Sequence, residues 1–488
     1  MKFLQKLQSS QAFWFLFITS IVFFFLRLPS LFEPYWYGDE GVYEIIGFAL
    51  RHGRLLYSGI WDNKPPMLYI IYALFNGDQV AAKFLSLLAG LFATWAIFAL
   101  SKKMFSSFLP VALTTGIFAL LFGLPLLEGN IANAENFMLL PGILAGFLIF
   151  SLSKKQQKKN TLLLFFFAGL LLGVSFLIKV VAVFDLFAFC AFFILIQLAD
   201  FSKKTILAIC KSLLPIAIGF LLPVILCVLF FVITGTFSIF LHATLLSNVG
   251  YVNYGNAFII PQGFLILKTL LVFSVVLFFL IRRKHIQPAT LFIFLWIIFT
   301  VYSSLFSGRP YTHYALLMLP AFSLLVGLFL DKKNLRVISG MSLLFVMILV
   351  VKAFTLYSHP LTYYQNFLQY LFGQKTQSQY QAFFDGGVPR EYGLVQYINA
   401  HKTPKQTLFI WGNNAQMYKM TNTLPEGRFT VAYHITLSYE NFAETQTILA
   451  KNPPKFVIIL PGESTPPISL MQYQEKIIID NTIIYEHI

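Results

Sequence analysis

Residues 213–233 read LLPIAIGFLLPVILCVLFFVI, 21 positions without a charge, and the segment leading into them carries Lys203, Lys204 and Lys211. A helix of about 20 apolar residues covers the hydrocarbon core of a bilayer, so the run has the length and the basic flank of a membrane span. Ten further runs share the pattern, near 11–31, 80–100, 109–127, 137–152, 162–178, 180–198, 263–281, 291–306, 314–330 and 337–357. The whole chain agrees with them: of 488 residues 58% are hydrophobic and 11% charged, where soluble domains carry roughly 25% charged residues. These values exclude a soluble enzyme built on ordinary layered domains. They predict a polytopic α-helical membrane protein of about eleven transmembrane helices.

A formal net charge of +15 would suit a nucleic-acid-binding protein, but the basic residues sit at the ends of the spans. They mark the N-terminus (Lys2, Lys6) and the connections after every second span: Lys102 and Lys103, Lys154 to Lys159, Lys203 to Lys211, Arg282 to Lys284, and Lys332 to Arg336. The positive-inside rule places all six segments in the cytoplasm, which accounts for the charge without nucleic acid. The first span lacks a small-x-small exit and runs into Arg27-Leu28-Pro29, so it reads as an uncleaved helix rather than a signal peptide.

With an odd number of spans before it, the tail 358–488 is expected outside, which divides the chain into a membrane domain, 1–357, and an extracytoplasmic domain, 358–488. The tail alternates helix near 390–401, strand at 407–411, helix at 439–451, strand at 455–460 and a closing strand pair through 477–485, the pattern of a small α/β domain. Cys190, Cys210 and Cys227 belong to spans or their cytoplasmic ends, so the outer domain has no disulfide framework.

Acids collect on the opposite side from the lysines: Glu33, Asp39, Glu40, Glu44, Asp62, Asp78, Glu128 and Glu135 all fall in the first two outer loops. Four short motifs lie on that face. They are Asp39-Glu40 after the first span, Asp62-Asn63-Lys64-Pro65-Pro66 before the second, Asn133-Ala134-Glu135 before the fourth, and Arg309-Pro310-Tyr311-Thr312-His313-Tyr314 before the tenth. In this order they resemble the membrane glycosyltransferases of the GT-C fold, specifically the bacterial relatives of protein O-mannosyltransferases (glycosyltransferase family 39) and of the lipid A aminoarabinose transferases. The resemblance implies transfer of a sugar from a polyprenyl-phosphate donor, with no nucleotide sugar, to an acceptor glycan, lipid or protein. It places the reaction at the outer face of the bacterial cytoplasmic membrane.

Such a reaction needs a base for the acceptor hydroxyl and positive charge for the departing phosphate. Asp39 is the candidate base, as the corresponding residue is held to be in the family, with inversion at the anomeric carbon. Glu40 would orient Asp39 or the acceptor. Glu135 would hold a sugar hydroxyl or, with Asp39, a divalent cation, and the alternative is a helix-start acid favoured by the macrodipole. Lys64 and Arg309 supply positive charge where the positive-inside rule expects little, with Tyr311 and His313 as further donors. Snorkelling side chains are the alternative. Asp62 and His242 are weaker substrate-binding candidates.

Three other features are read structurally first. Lys179 and Asp185 lie at or inside spans and suit a mutual or backbone-paired role as well as a functional one. Arg51 and Arg54 suit the surface of an amphipathic interfacial helix. The loop 234–262, with His242, Asn248, Tyr251, Asn253 and Tyr254, suits a connector or a cover over the donor. A transporter or lipid flippase is the competing class, against which stand the lack of paired repeats and the clustering of acids outside the membrane.

Overall fold

The computed structural model describes residues 11–153, 159–248, 265–357 and 359–488. Lys2 and Lys6, the run Lys154, Lys155 and Lys158, and Tyr251, Asn253 and Tyr254 lie outside the described residues. Among those described, nine helices are long and apolar enough to cross a membrane, from Gln11–Phe32 to Lys333–Ala353. Phe108–Gly123 and Pro288–Ser304 are shorter apolar helices at the two remaining expected spans. Both are cut by local chemistry: Pro125 opens a separate 3-10 turn after Gly123, and Pro288 fixes the first helical position of the other.

The chain separates into two compact units. The first comprises Met1–Ser30, Phe84–Ile233 and Ser247–Pro360, and the second Leu31–Lys83, Thr234–Leu246 and Leu361–Ile488. The second unit thus combines the tail with Leu31–Lys83, which carries the helices Gly38–Arg51 and Pro66–Leu74, and with Thr234–Leu246.

The first unit is a helical assembly with an aromatic interior. Phe189 stacks on Phe292 with ring centres 5.3 Å apart, and Trp296 meets Phe189 edge-on at 5.1 Å. The Lys159–Ile178 and Lys203–Ile233 helices pack backbone to backbone through glycine. A Cβ at Gly169 would run into the Ile216 backbone, and one at Gly219 into the backbone of Phe166 and Leu170. Gly169-x-x-x-Gly173 is the small-residue spacing that lets apolar helices approach where lipid offers no hydrophobic drive.

The second unit carries a four-stranded sheet, β1 (Leu408–Trp411), β2 (Phe456–Ile459), β3 (Tyr473–Ile479) and β4 (Thr482–His487), in the order β1-β2-β4-β3. β1 and β2 are parallel, joined through the Tyr439–Lys451 helix, and the all-buried β1 is the apolar strand that parallel pairing demands. β3 and β4 form a hairpin whose turn residues Asp480 and Asn481 have φ of 43° and 62°, the left-handed pair that Asp and Asn tolerate. Helices near 390–401 and 439–451 and all four strands occur where the periodicity places them. The short helices Gln416–Met420 and Ala432–Ile435 leave no periodic signal.

Within this unit the tail packs on the segment Leu31–Lys83. Gln416–Met420 packs on the Gly38–Arg51 helix at Gly41, where a Cβ would come within 2.9 Å of the Gln416 backbone nitrogen. Arg54, expected on the surface, instead donates to the carbonyls of Gly59 at 3.2 Å and Gly427 at 2.9 Å. Arg51 is exposed.

Candidate functional site

Asp39 lies in the first turn of the Gly38–Arg51 helix. Residues four apart share a helix face, and the Tyr43 hydroxyl donates to Asp39 Oδ2 at 3.1 Å. Lys64 reaches the same oxygen, with Nζ 3.9 Å from Asp39 Oδ2 and 4.9 Å above the Tyr43 ring. Both contacts engage Oδ2 and leave Oδ1 available, and the Asp39 side chain is 36% exposed.

Lys64 is held at several points. Pro65 and Pro66 confine its backbone and open the Pro66–Leu74 helix, its carbonyl accepts from the Tyr57 hydroxyl at 2.7 Å, and its N–H donates to the Tyr69 hydroxyl at 3.2 Å. Tyr57 takes a φ of 68°, unusual for a bulky side chain and tolerated only where the surroundings impose it. The Lys64 ammonium also lies 3.4 Å from Asp62 Oδ2, which accepts from the Tyr69 hydroxyl at 2.7 Å. On the other carboxylate oxygen, Asp62 Oδ1 receives the Asn63 N–H at 2.8 Å and faces His434 Nε2 at 3.5 Å. Burial alone would raise the Asp62 carboxyl, but Lys64 and the hydrogen bonds from His434 and Tyr69 hold it well below the usual carboxylate range. The same burial and the Asp62 charge push the Tyr69 hydroxyl well up, so it remains a donor.

Successive helix positions are turned by about 100°, which separates the two acids of the Asp39-Glu40 pair. Glu40 is buried, with Oε2 3.2 Å from Lys83 Nζ, and that ammonium also meets Glu33 Oε2 at 2.6 Å. Glu33 in turn accepts from the Tyr363 hydroxyl at 2.6 Å and from Trp36 Nε1 at 3.0 Å. Glu44, one turn further, is buried and its Oε2 has no partner; burial and the neighbouring Glu40 charge push its carboxyl well above the usual range. Glu33, Glu40 and Glu44 are therefore interior groups, the first two paired with Lys83 and the third raised toward its neutral form. His242 is exposed, on a segment whose Phe240 packs 5.8 Å from the Tyr57 ring.

A second polar cluster lies in the first unit. Asn133 precedes the Ala134–Leu152 helix, which puts Glu135 in the first turn. Glu135 is buried and ion-paired with Lys179, whose ammonium stands 4.3 Å above the Tyr314 ring, and His313 Nε2 is 3.9 Å from Glu135. His313 Nδ1 meets Glu128 Oε2 at 2.8 Å, and Tyr311 stacks on the imidazole at 5.7 Å. The loop that presents these groups turns at Gly308 (φ 70°) and is clipped to Thr355, whose N–H donates to the Pro310 carbonyl at 2.8 Å. Arg309 lies half-buried at its start. Lys179 thus pairs with Glu135 and not with Asp185, whose Oδ1 accepts from Trp296 Nε1 at 2.8 Å.

Asp39, Lys64 and Asp62 are brought together in one unit, and Glu135, His313, Tyr311 and Arg309 belong to the other. Among the described residues no group of three or more His, Cys, Asp or Glu is placed to hold a metal ion. Asp39 and Glu135, the pair expected as a possible cation site, belong to different units, and each faces an ammonium, Lys64 for the first and Lys179 for the second. Sequence reasoning gave no role to Lys83, Tyr43, Tyr69 and His434, and named Glu128 only among the acids of that face. The Tyr43 spacing of four from Asp39 is a legible signal; His434, 372 positions from Asp62, carries none.

No family model matches the sequence, and no curated protein matches it. Among solved structures, the chain is similar to ArnT from Cupriavidus metallidurans bound to undecaprenyl phosphate, with 14% identity, 98% of this chain and 99% of that chain covered, and a TM-score of 0.57. ArnT from the same organism in the apo state gives 13% identity, the same coverage and a TM-score of 0.58. The similarity extends over both chains nearly end to end, and the chain has the GT-C fold of a multi-pass membrane protein.

Proposed function

We propose that this protein is a glycosyltransferase that moves a sugar from a polyprenyl-phosphate donor to an acceptor glycan, lipid or protein at the outer face of the cytoplasmic membrane. The observation that carries the reading is the accessible Asp39 carboxylate with the Lys64 ammonium 3.9 Å away, on a chain whose fold is that of ArnT. That the ArnT structure holds undecaprenyl phosphate supports a lipid phosphate as the donor here. The membrane domain 1–357 carries the chemistry and the tail from 358 lies outside.

In the proposed reaction Asp39 Oδ1 takes the proton of the acceptor hydroxyl as its oxygen bonds to the anomeric carbon. The bond from that carbon to the phosphate oxygen breaks, its electron pair leaves with the polyprenyl phosphate, and the configuration inverts. Tyr43 and Lys64 hold Asp39 in place, and Glu40, through Lys83, fixes the helix turn that carries it. Lys64 offsets charge on the phosphate, and the sequence motif assigns the same role to Arg309, with Tyr311 and His313 as further donors, on the first unit.

The test is transfer by purified protein from a radiolabelled polyprenyl-phosphate sugar, read as label leaving the lipid fraction in wild type but not in Asp39→Asn. Comparison of surface glycans with and without the gene identifies the acceptor class. Movement of the labelled lipid across vesicles with the sugar–phosphate bond intact would instead mark a flippase.

A further inference from the structure

The C-terminal tail contributes one buried imidazole to the loop that carries Asp62 and Lys64. His434, in the Ala432–Ile435 helix, is 3% exposed, and its Nε2 lies 3.5 Å from Asp62 Oδ1. Trp61 packs edge-on against the ring at 4.8 Å, and the Asn441 side chain donates to the His434 carbonyl at 2.9 Å, so ring and backbone are both fixed. Nδ1 is buried without a partner, which leaves Nε2 as the nitrogen that bears the hydrogen toward Asp62. The strand of contacts continues on the other side of the carboxylate. Asp62 Oδ2 lies 3.4 Å from the Lys64 ammonium, and that ammonium lies 3.9 Å from Asp39. Oδ1 also accepts the Asn63 N–H at 2.8 Å and Oδ2 the Tyr69 hydroxyl at 2.7 Å, so His434 adds to these a contact that reaches the carboxylate from the tail.

We propose that His434 is a positioning residue for Lys64: beside the Asn63 N–H it engages Oδ1 and completes the contacts that fix the Asp62 carboxylate, so that Oδ2 keeps the ammonium beside Asp39, and the tail thereby completes the site on the loop that carries Asp62 and Lys64. The catalytic consequence rests on the glycosyltransferase reading above; the positional claim does not. Main-chain links make the placement possible. The Trp61 N–H donates to the Arg428 carbonyl at 2.8 Å, and Arg428 Nη2 pairs with Glu444 at 2.7 Å on the helix that follows His434.

The experiment compares full-length wild type, His434→Gln, His434→Asn and His434→Phe in detergent. Glutamine offers an amide N–H near the position of Nε2, asparagine is about one bond too short, and phenylalanine keeps the packing on Trp61 without a donor. The first readout needs no activity: the rate of amine acylation at Lys64, followed by mass spectrometry with Lys455 as internal reference. Lys64 should label several-fold faster in the Asn and Phe variants and near the wild-type rate in Gln. Equal Lys64 labelling in all folded variants overturns the proposal, and Gln with Asn keeps the comparison if Phe does not fold. The second readout is donor transfer. Where wild type is active, Asn and Phe should lose about 10-fold or more in turnover while Gln retains most of it, the range for losing a hydrogen bond to a charged group. Absence of transfer in wild type would refute the functional reading and leave the labelling result standing; equal losses in Gln and Phe would mark His434 as packing only.

Discussion

Asp39 and Glu40 are neighbours in sequence with opposite surroundings, and neutralising them one at a time should produce opposite phenotypes. Asp39 is 36% exposed and its ion pair with Lys64 is 3.9 Å long, a partly solvated contact worth at most about 1 kcal/mol. Asp39→Asn keeps a group able to meet Tyr43, so the melting midpoint should stay within a few degrees, while loss of a general base lowers turnover roughly 10²- to 10⁴-fold. Glu40 lies 3.2 Å from Lys83 with both groups buried, a gross attraction of about 5 kcal/mol at an effective dielectric of about 20. Much of that is offset by desolvation, and breaking a buried pair costs roughly 3–5 kcal/mol. Lys83 keeps Glu33 at 2.6 Å, which puts Glu40→Gln at the low end, about 3 kcal/mol. With the second unit melting as a cooperative unit of its own, that corresponds to a fall of about 6–12 °C in its midpoint, the range for a domain of roughly 150–250 residues. The assay is thermal unfolding in detergent beside initial rates of transfer normalised to folded protein. Near-normal turnover in Asp39→Asn, or a Glu40→Gln variant that is inactive with an unchanged midpoint, would refute the division of labour between the two acids.

Arg309→Lys keeps the charge but loses the planar two-point contact, so the donor KM should rise about 10- to 150-fold, whereas a snorkelling arginine would tolerate lysine; initial rates against donor concentration decide. Lys64→Ala should weaken transfer by a similar factor in the same assay. Because burial holds Glu44 protonated in the fold well above its unfolded range, the folded state binds more protons and stability falls as pH rises through that interval. Glu44→Gln should therefore melt increasingly above wild type from pH 5 to pH 8, and a constant difference would contradict the assignment. Asp62 has the opposite sign: its depressed carboxyl contributes stability above the usual carboxylate range that is lost in acid, and Asp62→Asn should flatten the acid limb of the melting curve. For topology, a cysteine at Ser464 should react with an impermeant thiol reagent in intact cells and one at Ser107 should not; reversed labelling would overturn the orientation.

The membrane class, the position of eleven apolar helices and the strands of the tail are all local quantities. A span is decided by the apolar content of some 20 consecutive residues and a strand by alternation or an apolar run, and neither depends on distant partners. The motifs around Asp39, Lys64, Glu135 and Arg309 are likewise local, and so is the expectation that they carry the chemistry. What those side chains touch is a property of packing. The sequence of Asp39 and Glu40 is symmetrical, two acids at a loop's edge, and only the helix turn and the arrival of Lys83 make one accessible and the other buried. Lys179 chose Glu135 over Asp185 because the partner is set by which helix faces it, not by the six positions that separate it from Asp185. His434 reaches Asp62 across 372 residues because the tail folds back on the segment Leu31–Lys83, and no periodicity or spacing encodes a contact at that separation. Burial then converts these placements into electrostatics, depressing Asp62 beside Lys64 and raising Glu44, which has no cation of its own.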